Sequence, residues 1–257
     1  MTPSPHAFIT GAGSGIGAAI ARALAQDGAR VSLAGRRAGP LEELAAEIGA
    51  SSLAIPGIDV TDPAAGPRAL ALAREKFGPV GILVNNAGEA PTAPFEKTSL
   101  DMWSHVIALN LTSVFQITQA ALPDLRARGA GARIINIAST AGLAGYAYVS
   151  AYCAAKHGVI GMTRALALEL AKTGITVNAV CPGYTDTPMI RRAAGALRAK
   201  TGRAETDTLA LLAKSNPQGR LVTPAEVADT VRWLASPGAS SINGQAIVVA
   251  GGEVMSG

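Results

Sequence analysis

Aromatic residues are scarce, at 4% of 257 positions, so large rings cannot build the core and Ala, Val, Leu and Ile must fill it. Cysteine is nearly absent. Cys153 and Cys181 have no ligand-like spacing, which argues against a disulfide scaffold or a zinc site. So few cysteines fit a reducing compartment, and a cytoplasmic location is expected. The three histidines, His6, His105 and His157, are scattered, and no metal site is expected. Charged residues make up only 16% against 49% apolar, the balance of a packed globular chain rather than a disordered one. The start, Met-Thr-Pro-Ser-Pro-His, has neither the basic nor the apolar region of a signal peptide. Ile134 to Ala155 carries no formal charge over 22 residues, but Asn136, Ser139, Thr140, Gly142, Gly145 and Ser150 interrupt it, so strand, loop and helix start are expected there, not a membrane span. Basic stripes with interleaved aromatics are also missing, which speaks against nucleic acid as a partner. No linker, repeat or low-complexity tract divides the chain, so residues 1–257 read as one domain.

What is present is alternation. Short apolar runs at 7–10, 30–34, 53–58, 81–84, 133–138, 176–180 and 245–249 read as strands. Longer amphipathic stretches between them read as helices: from the first turn to about 26, then 41–48, 63–77, 100–126 with a bend at Pro123, 150–172, a mixed segment at 188–214, and a helix ending near 235. Thr223-Pro-Ala-Glu226 predicts an N-cap, an N1 proline and a capping glutamate for that last helix. Strand–helix alternation predicts an α/β fold of the Rossmann type, a doubly wound parallel sheet of about seven strands with helices on both faces. Ligands bind such sheets at the carboxyl ends of the strands. The chemically informative residues fall there.

The first of them is Thr10-Gly11-Ala-Gly13-Ser14-Gly15-Ile16-Gly17, after the first strand and before a helix. Glycines let backbone approach a pyrophosphate, and the helix N-terminus offers free N–H groups and partial positive charge. The spacing is G-x-x-x-G-x-G, and in this context it predicts a dinucleotide site. Where an NAD enzyme usually places an acid on the ribose hydroxyls, this chain has Gly35-Arg36-Arg37. Two arginines suit a 2′-phosphate, so NADP(H) is favoured and NAD(H) stays open as the alternative. Asp59, followed by Val60, could accept a bond from an adenine amino group, and Asn86-Ala87-Gly88 gives tight backbone after the fourth strand.

Tyr152 and Lys156 are four apart, on one face of a helix, with Ser139 thirteen residues upstream. A nearby positive charge favours the phenolate, so Lys156 is expected to lower the Tyr152 pKa and make the pair a proton donor and acceptor for alcohol/ketone chemistry.

Together these pieces resemble the short-chain dehydrogenase/reductase family over nearly the whole chain: the glycine turn, Asp59-Val60, Asn85-Asn86-Ala87-Gly88, Asn110, Ser139, Tyr152-x-x-x-Lys156 and Pro182-Gly183. The resemblance implies that Tyr152 transfers the proton and that Lys156 lowers its pKa and binds the nicotinamide ribose. It implies that Ser139 polarises the substrate oxygen and that Asn110 holds a water linking Lys156 to solvent. It further implies that the segment after Pro182-Gly183 binds the nicotinamide amide through the Thr185 backbone and the Thr187 hydroxyl. It also implies a homotetramer built on the fourth and fifth helices and on the last helix and strand. The nearly uncharged stretch from Ser241 onward would suit a buried intersubunit strand.

Two stretches, Asn136 to Gly142 and Thr176 to Met189, look like 3-oxoacyl-thioester reductases and aromatic polyketide ketoreductases. These act on ketones carried by coenzyme A or acyl carrier protein. Residues 187–216, a substrate lid in this family, hold six basic and two acidic residues, and the rest of the chain is charge-balanced. A basic lid favours an anionic carrier. A dehydrogenase of free secondary or cyclic alcohols is the second reading. A non-catalytic cofactor-sensing protein is the third, and the intact Asn110, Ser139, Tyr152 and Lys156 argue against it.

Overall fold

The computed structural model describes residues 4–201 and 205–255, with side chains at 196–208 outside the description. Seven strands form one parallel sheet: β1 His6–Thr10, β2 Arg30–Ala34, β3 Ser52–Ile55, β4 Ile82–Asn85, β5 Arg133–Ile137, β6 Thr176–Pro182 and β7 Ala246–Val249. Their order is β3-β2-β1-β4-β5-β6-β7. The chain runs outward from β1 to β3, then returns to the other side of β1 with β4. That reversal opens a crevice above β1 and β4, the place where a doubly wound sheet binds ligands.

The strands read as unbroken apolar runs because both faces are covered. In β1, every residue is buried. One core layer packs β1, β2 and β4 against α1 (Gly15–Gln26), α2 (Ala38–Ile48) and the later helix α9 (Pro224–Ala235). The opposite layer packs the sheet against α3 (Ala65–Phe77), α5 (Ser113–Arg128) and α6 (Ser150–Leu170). Its contacts are mostly Ala, Val, Leu and Ile, as the shortage of aromatics requires.

Several boundaries move. The third strand ends at Ile55, not Ile58, because Pro56 cannot donate to the ladder and Gly57 turns the chain at φ 71°. Asp59 therefore lies in the loop beyond the strand. The expected single helix from 100 to 126 is α4 (Leu100–Ile107), a π-turn at Ala108–Thr112 and then α5. The register changes at Asn110 rather than at Pro123, which α5 contains and passes. Asn110 is fully buried and reaches out of the helix to the loop after β4, and this contact accompanies the widened turn. The run Leu100–Arg128 is also the one described helix apolar and long enough by composition to cross a membrane, with a mean hydropathy of 1.3. It packs on α3, β4, β5 and α6. The segment after β6 resolves into α7 (Pro188–Thr201) and α8 (Glu205–Ala213). The capping box forms as expected, with Thr223 and Glu226 bonded reciprocally at the start of α9.

Candidate active site

A single cleft of about 400 Å³ runs along the carboxyl ends of the strands. Gly11, Gly13, Ser14, Gly15, Ile16, Arg36, Arg37, Asp59, Val60, Asn86, Ala87 and Gly88 line one part. Ser139, Tyr152, Lys156, Pro182, Gly183, Thr185 and Thr187 line the other. Of the candidate catalytic and cofactor-binding residues, Gly17 and Asn110 are not on its wall, and neither are the motif residues Thr10 and Asn85.

Gly17 stands behind the turn. A Cβ there would lie 2.4 Å from the Gly11 carbonyl oxygen and 2.5 Å from Asn86 Nδ2, so only glycine lets the helix start so close to β1. Asn86 Nδ2 donates to the carbonyls of Thr10 (2.9 Å) and Gly11 (3.1 Å), and Thr10 Oγ1 accepts from the backbone of Asn86 and Ala87. The Asn86 side chain thus fixes the turn and leaves backbone to face the cleft. Gly11 and Gly15 have positive φ, 64° and 55°, the conformation a tight turn demands. This cradle, open at the N-terminus of α1 and flanked by Arg36 and Arg37, fits a dinucleotide carrying an extra phosphate. Asp59 accepts from the Thr61 backbone and hydroxyl, and these bonds hold its carboxyl below the usual carboxylate range.

Behind the second part of the cleft runs a buried polar chain. Asn85 Nδ2 donates to Thr118 Oγ1 and Asn136 Oδ1, and Asn136 Nδ2 donates to Thr163 Oγ1, each at 2.9 Å. It ties β4 and β5 to α5 and α6, and so fixes the floor on which α6 presents Tyr152 and Lys156. Ser139 follows β5. Its Oγ accepts from Ala141 N, and it lies near enough to Tyr152 to favour the phenolate. Lys156 is buried, donates to the Ile137 carbonyl at 2.8 Å, and has its Nζ 5.5 Å from the Tyr152 ring centroid.

The expected triad is therefore assembled, but the expected pKa direction is reversed. Burial pushes the Tyr152 phenol up to about 12, only partly opposed by Ser139. Burial likewise drives Lys156 down to about 8. Desolvation is the leading cause for both groups.

The side chain of Asn110 is held by protein groups. Its Nδ2 donates to the Glu89 and Val106 carbonyls, both at 3.0 Å, and its Oδ1 accepts from Glu89 N at 3.3 Å. The amide is occupied in clamping the Gly88–Glu89 loop. A water relay from Lys156 would have to use the Asn110 main chain. Thr187 Oγ1 accepts from Ile190 N at 3.4 Å, at the start of α7.

Other residues on or beside the cleft were not singled out from sequence. Glu89 lines it and pairs with His105 at 2.5 Å. Tyr146 and Tyr184 line it and meet edge to face, with centroids 6.2 Å apart. Tyr146 donates to Glu253 Oε1 from 107 residues away. No motif or spacing in the sequence marks either tyrosine. Nothing in sequence linked Glu253 to them.

The model of the short-chain dehydrogenase family matches residues 5–196. The chain belongs to this family. It is 43% identical to a putative ketoacyl reductase of granaticin polyketide synthesis from Streptomyces violaceoruber, covering 96% of this chain and 92% of the relative. It is 40% identical to a D-β-hydroxybutyrate dehydrogenase from Cupriavidus necator, covering 99% of both. Among solved structures, a variant of actinorhodin polyketide ketoreductase with NADPH superposes with a TM-score of 0.92 at 39% identity, covering 98% of each chain. The protein is an oxidoreductase acting on CH–OH groups, interconverting a ketone and a secondary alcohol.

Proposed function

We propose that this short-chain dehydrogenase is an NADP(H)-dependent reductase of 3-oxoacyl or polyketide-type ketones carried as thioesters on coenzyme A or acyl carrier protein. The single observation that carries the reading is one continuous cleft with a two-arginine end at Arg36 and Arg37 and a Ser139–Tyr152–Lys156 end. The nicotinamide, when bound, supplies or accepts the hydride. The chain's own residues do the rest. The glycine turn and the N-terminus of α1 hold the pyrophosphate, and Arg36 and Arg37 grip the 2′-phosphate. Asp59 and Val60 border the adenine. Asn86, Ala87 and Gly88 line the central part with backbone, while Pro182, Gly183, Thr185 and Thr187 flank the nicotinamide. Ser139 donates to the carbonyl oxygen as charge develops there. Tyr152, protonated at neutral pH with its pKa near 12, gives up its proton to the forming alcohol, a state that suits reduction. Lys156 anchors the ribose and, when charged, eases loss of that proton.

Thioester carriage draws support from the ketoacyl reductases among the relatives and from the basic lid. Part of that charge is neutralised, since Asp186 holds Arg191 through two bonds of 2.9 Å. Arg192 lines the cleft, whereas Arg198, Lys200 and Arg203 lie outside the described side chains. The second reading, oxidation of a free cyclic alcohol, is favoured by 40% identity to a cis-4-hydroxycyclohexanecarboxylate dehydrogenase. A homotetramer in the cytoplasm is the assembly proposed. The half-buried edge strand β7 and the exposed Leu100, Phe115 and Leu168 on the long helices support it. A monomer by light scattering would remove that part.

The test is purified protein assayed with NADPH and NADH against acetoacetyl-CoA, longer oxoacyl thioesters and free ketones. Turnover of thioesters with NADPH is expected. Turnover of free ketones alone would assign the second reading.

A further inference from the structure

The substrate side of the cleft contains a charged device that the hydride-transfer chemistry does not use. Tyr146 and Gly183 both line the cleft, and Glu253 lies against both of them. The Tyr146 hydroxyl lies 2.8 Å from Glu253 Oε1 and 2.9 Å from Thr140 Oγ1. A phenol has one proton. It goes to the carboxylate, and the Thr140 hydroxyl donates to the phenol oxygen. Tyr146 is thus saturated by protein and presents its ring, not its hydroxyl, to a substrate. The edge-to-face contact with Tyr184 completes a rigid aromatic corner.

The other carboxylate oxygen, Glu253 Oε2, is buried with no hydrogen-bond partner. A Cβ at Gly183, which lines the cleft, would sit 2.6 Å from it, so the oxygen packs against the back of that glycine. Among the described residues no salt bridge involves Glu253. The titratable groups facing it are phenols. Tyr146 and Tyr184 are both held above the usual phenol range, by burial first and by the neighbouring Glu253 charge in addition. The described cations of the cleft lie on other parts of its wall: Arg36 and Arg37 beyond β2, Lys156 under the Tyr152 ring, and Arg192 on α7.

A negative charge with one unpaired oxygen, in a site of reduced dielectric, repels a second carboxylate strongly. We propose that the charge of Glu253, felt across Gly183, makes the reacting end of the cleft select uncharged ketones, and reject those bearing a free carboxylate beside the carbonyl. Esters, thioesters and cyclic or aromatic ketones are the class accepted. An anionic group is tolerated only far from the carbonyl, toward the basic lid, as in a thioester whose carrier bears phosphate. The inference rests on the reading of this part of the cleft as the ketone site. It goes beyond the relatives, which include enzymes named for ketoacyl and for hydroxy-acid substrates and so do not decide between the two. Glu253 is a specificity and positioning residue rather than a catalytic one.

The test pairs acetoacetate with methyl acetoacetate, which differ in that one charge. In the wild type, kcat/KM for the ester should exceed that for the acid by about tenfold or more. Glu253→Gln keeps an acceptor for the Tyr146 hydroxyl and removes the charge, so it should narrow that gap at least ~5-fold by the same repulsion. Tyr146→Phe keeps the charge, so discrimination against the acid should persist there. The same pair titrated onto the enzyme–NADPH complex, followed by cofactor fluorescence, should show the same preference in Kd. If neither compound is reduced but the ester binds better and E253Q narrows the difference, the ketoester reading of the function fails and the charge selection stands. Equal turnover and equal binding in the wild type, including none of either, overturns the proposal. So does a ratio unchanged in E253Q, or one lost only in Y146F.

Discussion

The two ends of the cleft are built by different means. The cofactor end, from Gly11 to Gly88, is built of short local motifs, the turns that follow β1, β2, β3 and β4, with Asn86 reaching back to Thr10 and Gly11. The substrate end is assembled from afar. Ser139 and Tyr146 follow β5, Gly183 and Tyr184 follow β6, and Glu253 lies past β7. Local geometry is dictated by backbone and glycine, so it tolerates little variation. An end made of distant side chains can change one member without disturbing the fold. The family therefore keeps a shared reaction beside variable substrates, as the named relatives illustrate.

Substitutions can break this contrast in graded steps. The largest effect belongs where the two ends meet. Tyr152→Phe should lower kcat by about a thousandfold, as loss of a general acid does, while the Kd for NADPH changes little. Retained turnover would remove the proposed proton donor. Next comes the cofactor end alone. Arg36→Ala with Arg37→Ala should raise the KM for NADPH by about tenfold or more, the worth of charge-assisted bonds, and leave the KM for NADH nearly unchanged. An equal effect on both would show that the arginines do not read the phosphate.

A third step concerns Lys156 in the cofactor-free enzyme. Its folded pKa, about 8, is below the ordinary 10.5. Between those values the unfolded chain holds a proton that the folded chain lacks, so stability from this group rises with pH. Below pH 8 both states are charged, and the burial penalty, on the order of 2–3 kcal/mol, is fully present. Lys156→Met removes the titration. The Tm difference between K156M and wild type should therefore shift steadily in favour of the wild type from pH 8 to 10, and thermal melts across that range measure it. A pH-independent difference would mean that Lys156 is not destabilised by burial. The smallest effect is at the base of the substrate end. Val222 bridges to Thr185, and Thr223 caps α9 just beyond it. Thr223→Ala should cost about 1 kcal/mol of stability by chemical denaturation. A comparable fall in kcat/KM would show that the cap also steadies the Thr185 segment.

The same contrast explains what could be read without coordinates. The placing of strands and helices along the chain and the glycine turn are legible because hydrophobic period and turn chemistry are local signals. The capping box at Thr223 and Glu226 was legible for the same reason. Strand β3 was drawn too long because Pro56 and Gly57 were passed over in an apolar run. Asn110 is visible as an unusual residue in a helix, but no local pattern shows that its side chain clamps Glu89. The direction of the Tyr152 shift was missed because proximity to Lys156 can be read from spacing of four, whereas desolvation depends on everything packed around both groups.

By itself, then, the sequence determined the sheet, the cofactor cradle and the pairing of Tyr152 with Lys156. All three follow from the intrinsic geometry of strands, helices and glycine. The tertiary structure alone decided the direction in which each of that pair is shifted, and the wall that faces it. Burial sets the first, and the second joins Tyr146 to Glu253 across 107 residues, a contact that no local pattern encodes.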